Sequence, residues 1–410
     1  MLMATTADLD DDTLAGRLAG VAAGPVRQPF DAQSLDFLKA LARDIRTDPV
    51  ASVFPDLRAF GFWCRPAAMP GLKGHLDWGA PSDSVILPRG VVFHLPPANV
   101  PTLCAYGWVL SLLAGNRNIV RLPGRLAPSA QALLRLIERG LDDAPRLRDQ
   151  QLFLSYDHDD AITSLLSAHC DVRVVWGGDA TIARIRALPL PPLAAELCFA
   201  DRFSMAAFRA GAVLGLADDA LRRLAGRFRD DLFTFGQQAC SSPHLAVWVG
   251  TADHCQAASA RLYGAVAAIE GAGGQDAATM VARMSQITRA IIDHPVRALT
   301  SFGPHLVVLT LDGFADLRAD PGDGGTLFEW HVADLQALVP HLRRKDQTLT
   351  HLGFSQDDLL RLAQGGFDRL VPVGQALAFD VLWDGQDLLR AFSRSVTLRY
   401  ADERDDCDGR

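Results

Sequence analysis

At 410 residues the chain is too long for one simple core and predicts two domains. Hydrophobic residues at 49% and charged residues at 21% exclude a disordered chain, and a net charge of −8 with no basic block argues against non-specific nucleic-acid binding. Seven irregularly spaced cysteines without a CxxC pair indicate neither a disulfide framework nor a zinc site. The N-terminus is acidic where a signal peptide would be basic and then apolar, and no uncharged run reaches the ~18 residues of a membrane span. These features predict a cytoplasmic protein with free thiols.

Residues 1 to about 80 are loosely patterned, with helical periodicity around Ser34 to Ile45 and a Pro/Gly-rich stretch from Cys64 to Gly79. Strand–helix alternation then begins. Gly90 to Leu95 reads as a buried strand, Val100 to Ala114 as a helix closed by Gly115, Asn118 to Leu122 as a strand and Ala127 to Leu141 as an amphipathic helix. Gln151 to Ser155, a helix from Asp159 to Ser167 and Val172 to Trp176 continue the series. This spacing predicts a parallel, doubly wound sheet with ligands at the carboxyl ends of its strands. A second unit opens around Gly211 with a helix from Asp218 to Thr234. It continues through strand Leu245 to Val249, a helix over Ala257 to Ile269, strand His305 to Thr310 and a strand-rich stretch from Leu370 to Phe379. The expected division is residues 1–211, an N-terminal region with a cofactor-binding Rossmann-like domain; 212–382, a catalytic domain; and 383–410, a C-terminal segment with an acidic tail.

Cys240 stands out among the thiols. It lies in Phe233-Thr-Phe-Gly-Gln-Gln-Ala-Cys-Ser-Ser-Pro243, at a helix-to-strand junction where a turn, not a core stripe, is expected. Cys64, Cys104, Cys170 and Cys255 read instead as small buried hydrophobes. Asn99, in Pro96-Pro-Ala-Asn-Val-Pro101, can cap the following helix or donate its amide to an oxyanion. A thiol and an amide of this kind are two halves of a covalent carbonyl site. Trp176-Gly177-Gly178-Asp179 follows a strand and precedes a helix, which suits either a tight turn or close approach to a cofactor's pyrophosphate or ribose. His94 and His244 lie near the two loops and could assist proton transfer or be structural. The apolar run Leu103 to Leu113 could line an acyl tunnel or form core.

The loop Phe93-His-Leu-Pro-Pro-Ala-Asn-Val-Pro101, with the run Leu112 to Pro123, resembles the acyl-CoA reductases of the LuxC type. These supply fatty aldehyde in bacterial luminescence and belong to the aldehyde dehydrogenase superfamily. Val174 to Asp179, Gln237 to Pro243, Lys345-Asp-Gln-Thr348, Arg369 to Gly374 and Trp383 to Leu389 extend the resemblance over roughly residues 80 to 400, in the family's order.

The resemblance implies an aldehyde-dehydrogenase-like α/β fold of two doubly wound, Rossmann-like domains. It aligns Cys240 with the acylated cysteine and Asn99 with the oxyanion asparagine, and it implies NADPH as reductant. Leu122-Pro-Gly-Arg125 stands where NAD-dependent relatives carry a glutamate, so Arg121 and Arg125 suit the 2′-phosphate. Trp176, Gly177, Gly178 and Asp179 complete the expected cofactor-binding set. The superfamily's water-activating glutamate has no clear counterpart: Glu196 and Cys198 compete for the place, as a reductase that must keep its thioester from water would allow. Thr300-Ser-Phe-Gly-Pro304 has threonine where the superfamily has the glutamate that holds the nicotinamide ribose. The implied reaction is reduction of an acyl-CoA or acyl-protein thioester to aldehyde by a homo-oligomer, with an acyl-protein synthetase or acyltransferase as partner. An aryl or short-chain thioester, oxidative dehydrogenase action, or a non-catalytic subunit are the other readings.

Overall fold

The computed structural model describes residues 3–5, 11–79, 83–97, 102–269, 277–322 and 324–399. Two compact units divide the chain: Met1–Ala200 together with Phe379–Arg410, and Asp201–Ala378 between them. The first unit's strands are β1 (Met3–Thr5), β2 (Ser84–Pro88), β3 (Val91–Leu95), β4 (Arg117–Leu122), β5 (Gln151–Ser155), β6 (Val172–Trp176) and β7 (Ala195–Phe199). The second unit contributes β8 (Phe203–Arg209), β9 (Pro243–Val249), β10 (Val296–Phe302), β11 (Leu306–Leu311), β12 (Thr326–Val332), β13 (Asp346–Leu352) and β14 (Arg369–Pro372). On its return to the first unit the chain forms β15 (Leu382–Trp383), β16 (Gln386–Asp387) and β17 (Ser393–Thr397).

The first unit is built on a parallel sheet of order β1-β5-β4-β3-β6-β7. All five residues of β3 and of β6 are buried, as continuous apolar runs require in a sheet covered on both faces. The chain steps outward from β3 to β4 and β5, then crosses to place β6 on the other side of β3. That reversal sets a topological switch point between β3 and β6. The helix Leu103–Leu113 is core: Tyr106, Trp108, Val109, Leu110, Leu112 and Leu113 are wholly buried, and Trp108 donates to Gln151 at 2.7 Å. This run therefore forms core in the first unit.

Before β2 the chain is more ordered than its loose pattern suggests. Helices span Asp11–Ala23, Ala32–Thr47, Pro55–Trp63 and Met69–Asp77. Pro55 and Pro70 sit in first turns, where the missing N–H costs nothing, so the prolines start helices instead of ending them. The returning segment packs into this unit. Phe392, Leu388 and Leu389 are wholly buried, β17 pairs antiparallel with β2, and Asp384 and Gly385, both left-handed, form the turn between β15 and β16.

In the second unit the sheet order is β10-β11-β12-β9-β8-β13-β14, parallel except for the antiparallel edge strand β10. Its strand β8, beside the central β9, lies before Gly211 in sequence. Two apolar layers cover its faces, one around Met205, Val247, Leu309 and Leu349, the other around Phe208, Phe228, Trp248 and Leu262. The stretch expected to be strand-rich from Leu370 to Phe379 pairs only as far as Pro372. Beyond it side chains replace the ladder: Asp231 accepts from Gly374 and Ala376, and Arg369 donates to the carbonyls of Ala376 and Ala378. Among the described residues no helix is long and apolar enough to cross a membrane, and no group of three or more His, Cys, Asp or Glu could hold a metal ion.

Candidate active site

The helix Asp218–Phe233 buries Leu221, Leu224, Ala225, Phe228 and Leu232, which recur every three or four residues along one face. It stops at Phe233, and Phe235, Gly236 and Gln237 follow with φ of 57°, 62° and 68°. Left-handed backbone costs a non-glycine residue about 1 kcal/mol. Gln237 offsets this with its own amide. Wholly buried, it donates from Nε2 to the carbonyls of Pro243 (3.1 Å) and Thr326 (3.0 Å) and accepts at Oε1 from Gly325 N (2.9 Å). The chain thus enters β9 through a rigid turn with half-buried Cys240 on it.

Three strands converge on that turn. Ser204 Oγ, at the start of β8, donates to the Cys240 carbonyl at 2.7 Å and accepts from Thr348 N at 3.2 Å. Gln347 Nε2, at the start of β13, donates to Cys240 Sγ at 3.2 Å, and Thr348 Oγ1 donates to Gln347 Oε1 at 3.3 Å. Asp346 anchors the strand: wholly buried, it receives Arg318 Nε at 2.8 Å and Nη2 at 2.7 Å, and Arg343 N at 2.8 Å. The motif Lys345-Asp-Gln-Thr348 therefore divides its work between an anchor, a contact to the thiol and a link to Ser204. Beside the thiol, the buried Ser241 and Ser242 hydroxyls have no partner among the described residues.

This cluster lies at the amino ends of β8, β9, β12 and β13, opposite to the carboxyl-edge rule that the strand pattern suggests. Irregular pairing makes room for it. Between β8 and β13 the register passes from Phe203↔Asp346 to Met205↔Leu349, so Gln347 and Thr348 together face Ser204. Between β8 and β9 it passes from Ser204↔Pro243 to Met205↔Leu245, leaving His244 as an extra residue. Bulges of this kind bend a strand and re-aim its side chains.

The other described thiols differ. Burial pushes Cys104 and Cys170 up to about 12 and Cys255 up to about 11, and raises Cys64 furthest. Cys198 is half-buried, and burial together with the Glu196 charge lifts it to about 11. His94 and His244 are buried and pushed down to about 4 by that burial; His94 is tied to Asn118 at 3.0 Å and His244 stacks on Phe203. Both are neutral structural residues near neutral pH. Asn99 lies outside the described residues.

The expected cofactor-binding residues all lie in the first unit, at the carboxyl edge of its sheet. Arg121, near the end of β4, donates to the Tyr156 carbonyl at 3.3 Å and lies 5.1 Å from the Tyr156 ring; Arg125, beyond it, is exposed. Trp176 closes β6, stacked on Phe199 at 3.9 Å, and Gly177 N donates to the Phe199 carbonyl at 3.1 Å. Gly178 precedes the helix Asp179–Arg186, whose first turn carries the Asp179 carboxylate. That charge already occupies the positive end of the helix, which disfavours a pyrophosphate there.

Residues 78–270 match the family model of the acyl-CoA reductase LuxC. The match covers a little under half of the chain. No curated protein matches the chain. Among solved structures, proline utilization A of Bradyrhizobium japonicum aligns with a TM-score of 0.69 and 16% identity over 96% of this chain. The chain spans 45% of that protein's length. Aldehyde dehydrogenase 21 of Physcomitrella patens, solved with its reaction product succinate, aligns at 0.68 and 11% identity over 95% of this chain and 90% of its own. The glyceraldehyde-3-phosphate dehydrogenase GapN of Methanocaldococcus jannaschii, solved with NADP, aligns at 0.65 and 10% identity over 95% of this chain and 94% of its own. At such identities the likeness is one of fold: α/β, with the parallel sheets of an aldehyde dehydrogenase.

The LuxC segment contains Cys240 and every cofactor-binding candidate, whereas Gln347 lies beyond it. Within it, Glu196 is fully engaged: Arg173 holds Oε1 at 2.5 and 2.7 Å, and Arg186 approaches Oε2 at 3.3 Å. A carboxylate neutralised by two guanidiniums is a poor base for activating water. Sequence reasoning missed Gln237, Ser204 and Gln347 as individual site residues. The first and last lie in motifs the resemblance singles out, so a signal existed; Ser204 has none.

Proposed function

We propose that this protein reduces an acyl thioester, of coenzyme A or of a carrier protein, to the free aldehyde through an acyl-enzyme on Cys240. The observation that carries the reading is Cys240 itself: a half-buried thiol on a turn, with an amide N–H at its sulfur, in a LuxC segment whose other described thiols burial holds protonated. As thiolate, Cys240 attacks the carbonyl carbon. The C–S bond to the carrier then breaks, and the carrier thiolate leaves and takes a proton. Asn99 and the Cys240 N–H are the proposed donors to the oxyanion, each worth about 3 kcal/mol in the transition state.

The residues at the carboxyl edge of the first sheet fit NADPH. Arg121 and Arg125 would hold the 2′-phosphate, and Trp176 to Asp179 would lie against a ribose, whose hydroxyls Asp179 can accept. When bound, the nicotinamide supplies the hydride that takes the acyl group to the aldehyde level. The neutralisation of Glu196 favours this direction over oxidative dehydrogenase action, which needs a base for water. A cytoplasmic homo-oligomer accepting a long fatty acyl chain from an acyltransferase or acyl-protein synthetase is the form of the reaction we favour.

A panel of mass-tagged fatty, short and aryl acyl-CoAs, with NADPH, NADH or neither, tests the reading. Covalent labelling lost in Cys240→Ala, and aldehyde released with NADPH far faster than with NADH, is the expected result. Labelling at another cysteine, or aldehyde formation surviving Cys240→Ala, would sink it.

A further inference from the structure

Gln347 contacts the sulfur by a route the sequence does not announce, and three features fix its position. The bulge turns Gln347 out of the regular ladder beside Ser204. Asp346, the residue just before it, is clamped by Arg318. Thr348 Oγ1 donates to Oε1, which orients the amide with Nε2 towards Cys240 Sγ at 3.2 Å. Gln347 is wholly buried, so water competes little for that contact.

We propose that Gln347 is a catalytic residue, whose Nε2–H donates to the Cys240 sulfur and stabilises it as a thiolate. The inference rests on Cys240 being the nucleophile. A hydrogen bond to an anion is stronger than one to the neutral thiol, so the amide favours ionisation. It serves twice. Before attack it raises the thiolate population. When the thiohemiacetal collapses, the C–S bond breaks, its electron pair returns to sulfur, and the same N–H meets the charge as it forms. In the acyl-enzyme the sulfur is neutral and the contact weakens, so the intermediate is not over-stabilised.

At the amino ends of the strands around the turn, His244 on β9 stays neutral, Asp346 on β13 is paired with Arg318, Lys345 precedes β13, and Arg202 before β8 is bound to Asp368. Arg283 donates to the Gly324 carbonyl beside the turn, while Glu329 and His331 on β12, His351 on β13 and Arg209 on β8 lie further along their strands. The amide is the donor shown at the sulfur itself.

The test uses the full chain without thioester: alkylation of Cys240 by iodoacetamide, followed by peptide mass spectrometry across pH 5 to 10. In Gln347→Met the midpoint should rise by about one pH unit, with alkylation ~10-fold slower below it. Gln347→Glu, with a carboxylate facing the sulfur, should move it further the same way. Midpoints unchanged in both folded variants overturn the proposal. If neither variant folds, the wild-type protein decides. The Gln347 side-chain amide resonance should titrate with the alkylation midpoint, and a flat resonance overturns the proposal. The two readings separate cleanly. A Gln347 effect on alkylation without acylation of Cys240 rejects the thioester reading and supports the sulfur contact; acylation without a Gln347 effect does the reverse.

Discussion

A carboxylate accepting two backbone N–H groups is ordinarily held ionised, yet Asp231 is not. Burial outweighs the donors from Gly374 and Ala376, the Asp230 charge adds to it, and the Asp231 carboxyl rises from 3.8 to about 7. The folded protein therefore keeps a proton there that the unfolded chain has lost above about pH 4. Stability should fall as pH rises from about 4 to 7 and level off beyond, by no more than ~4 kcal/mol for this one group. Asp231→Asn should flatten that slope. It should be less stable than wild type at pH 5, because its NH2 faces one of the two N–H donors, and closer to it at pH 8. Urea unfolding at the two pH values measures this, and an unchanged slope in the variant would place the titration elsewhere.

At the scale of elements, the site depends on how the turn before β9 meets the start of β12. Gly325 has φ of +88°, and a Cβ there would lie 1.9 Å from the His305 carbonyl oxygen, a clash only backbone movement relieves. Gly236 on the facing turn is left-handed too, at +62°, but its Cβ would meet nothing within 4 Å. Gly325→Ala should thus cost more than about 3 kcal/mol and loosen the Gln237 clamp, whereas Gly236→Ala should cost about 1 kcal/mol. Thermal melting of the two variants separates them, and equal losses would contradict the packing described here. The bulges beside Ser204 belong to the same scale. They interrupt the ladder only at the amino ends of β8, β9 and β13, where the thiol sits, and leave regular pairing towards the carboxyl ends.

At the scale of the whole chain, the second unit is an insertion, and the first is completed by residues that follow it. Trp383, Leu388, Leu389 and Phe392 are at most 4% exposed, and Asn116 Nδ2 donates to the Phe392 carbonyl at 2.8 Å. Burying each such side chain contributes roughly 2 kcal/mol. Their sum rivals the ~5–15 kcal/mol by which whole domains are stable. Truncation after Ala378 should therefore leave the first unit unfolded or aggregated while sparing contacts internal to residues 201–378. Hydrogen exchange resolved by peptide would show protection lost in β3 to β6 and retained in β8, β9 and β13. Protection retained throughout would mean that the tail is dispensable.

The strands β3 to β6 and β9, the helix ending at Phe233 and the turn that carries Cys240 were legible in the sequence. Each rests on a local signal: an apolar run, a helical period, or a turn-forming neighbourhood around a reactive residue type. The helices before residue 80 were obscured because Pro55 and Pro70 look like breakers and act as first-turn residues. Some features needed the tertiary structure. The site lies at the amino edge of the second sheet, Glu196 is neutralised by Arg173 and Arg186, and Gln347 reaches a sulfur 107 residues away. Strand order and register decide such meetings. In a parallel sheet both come from long crossovers and from the bulges beside Ser204, and no local pattern encodes them.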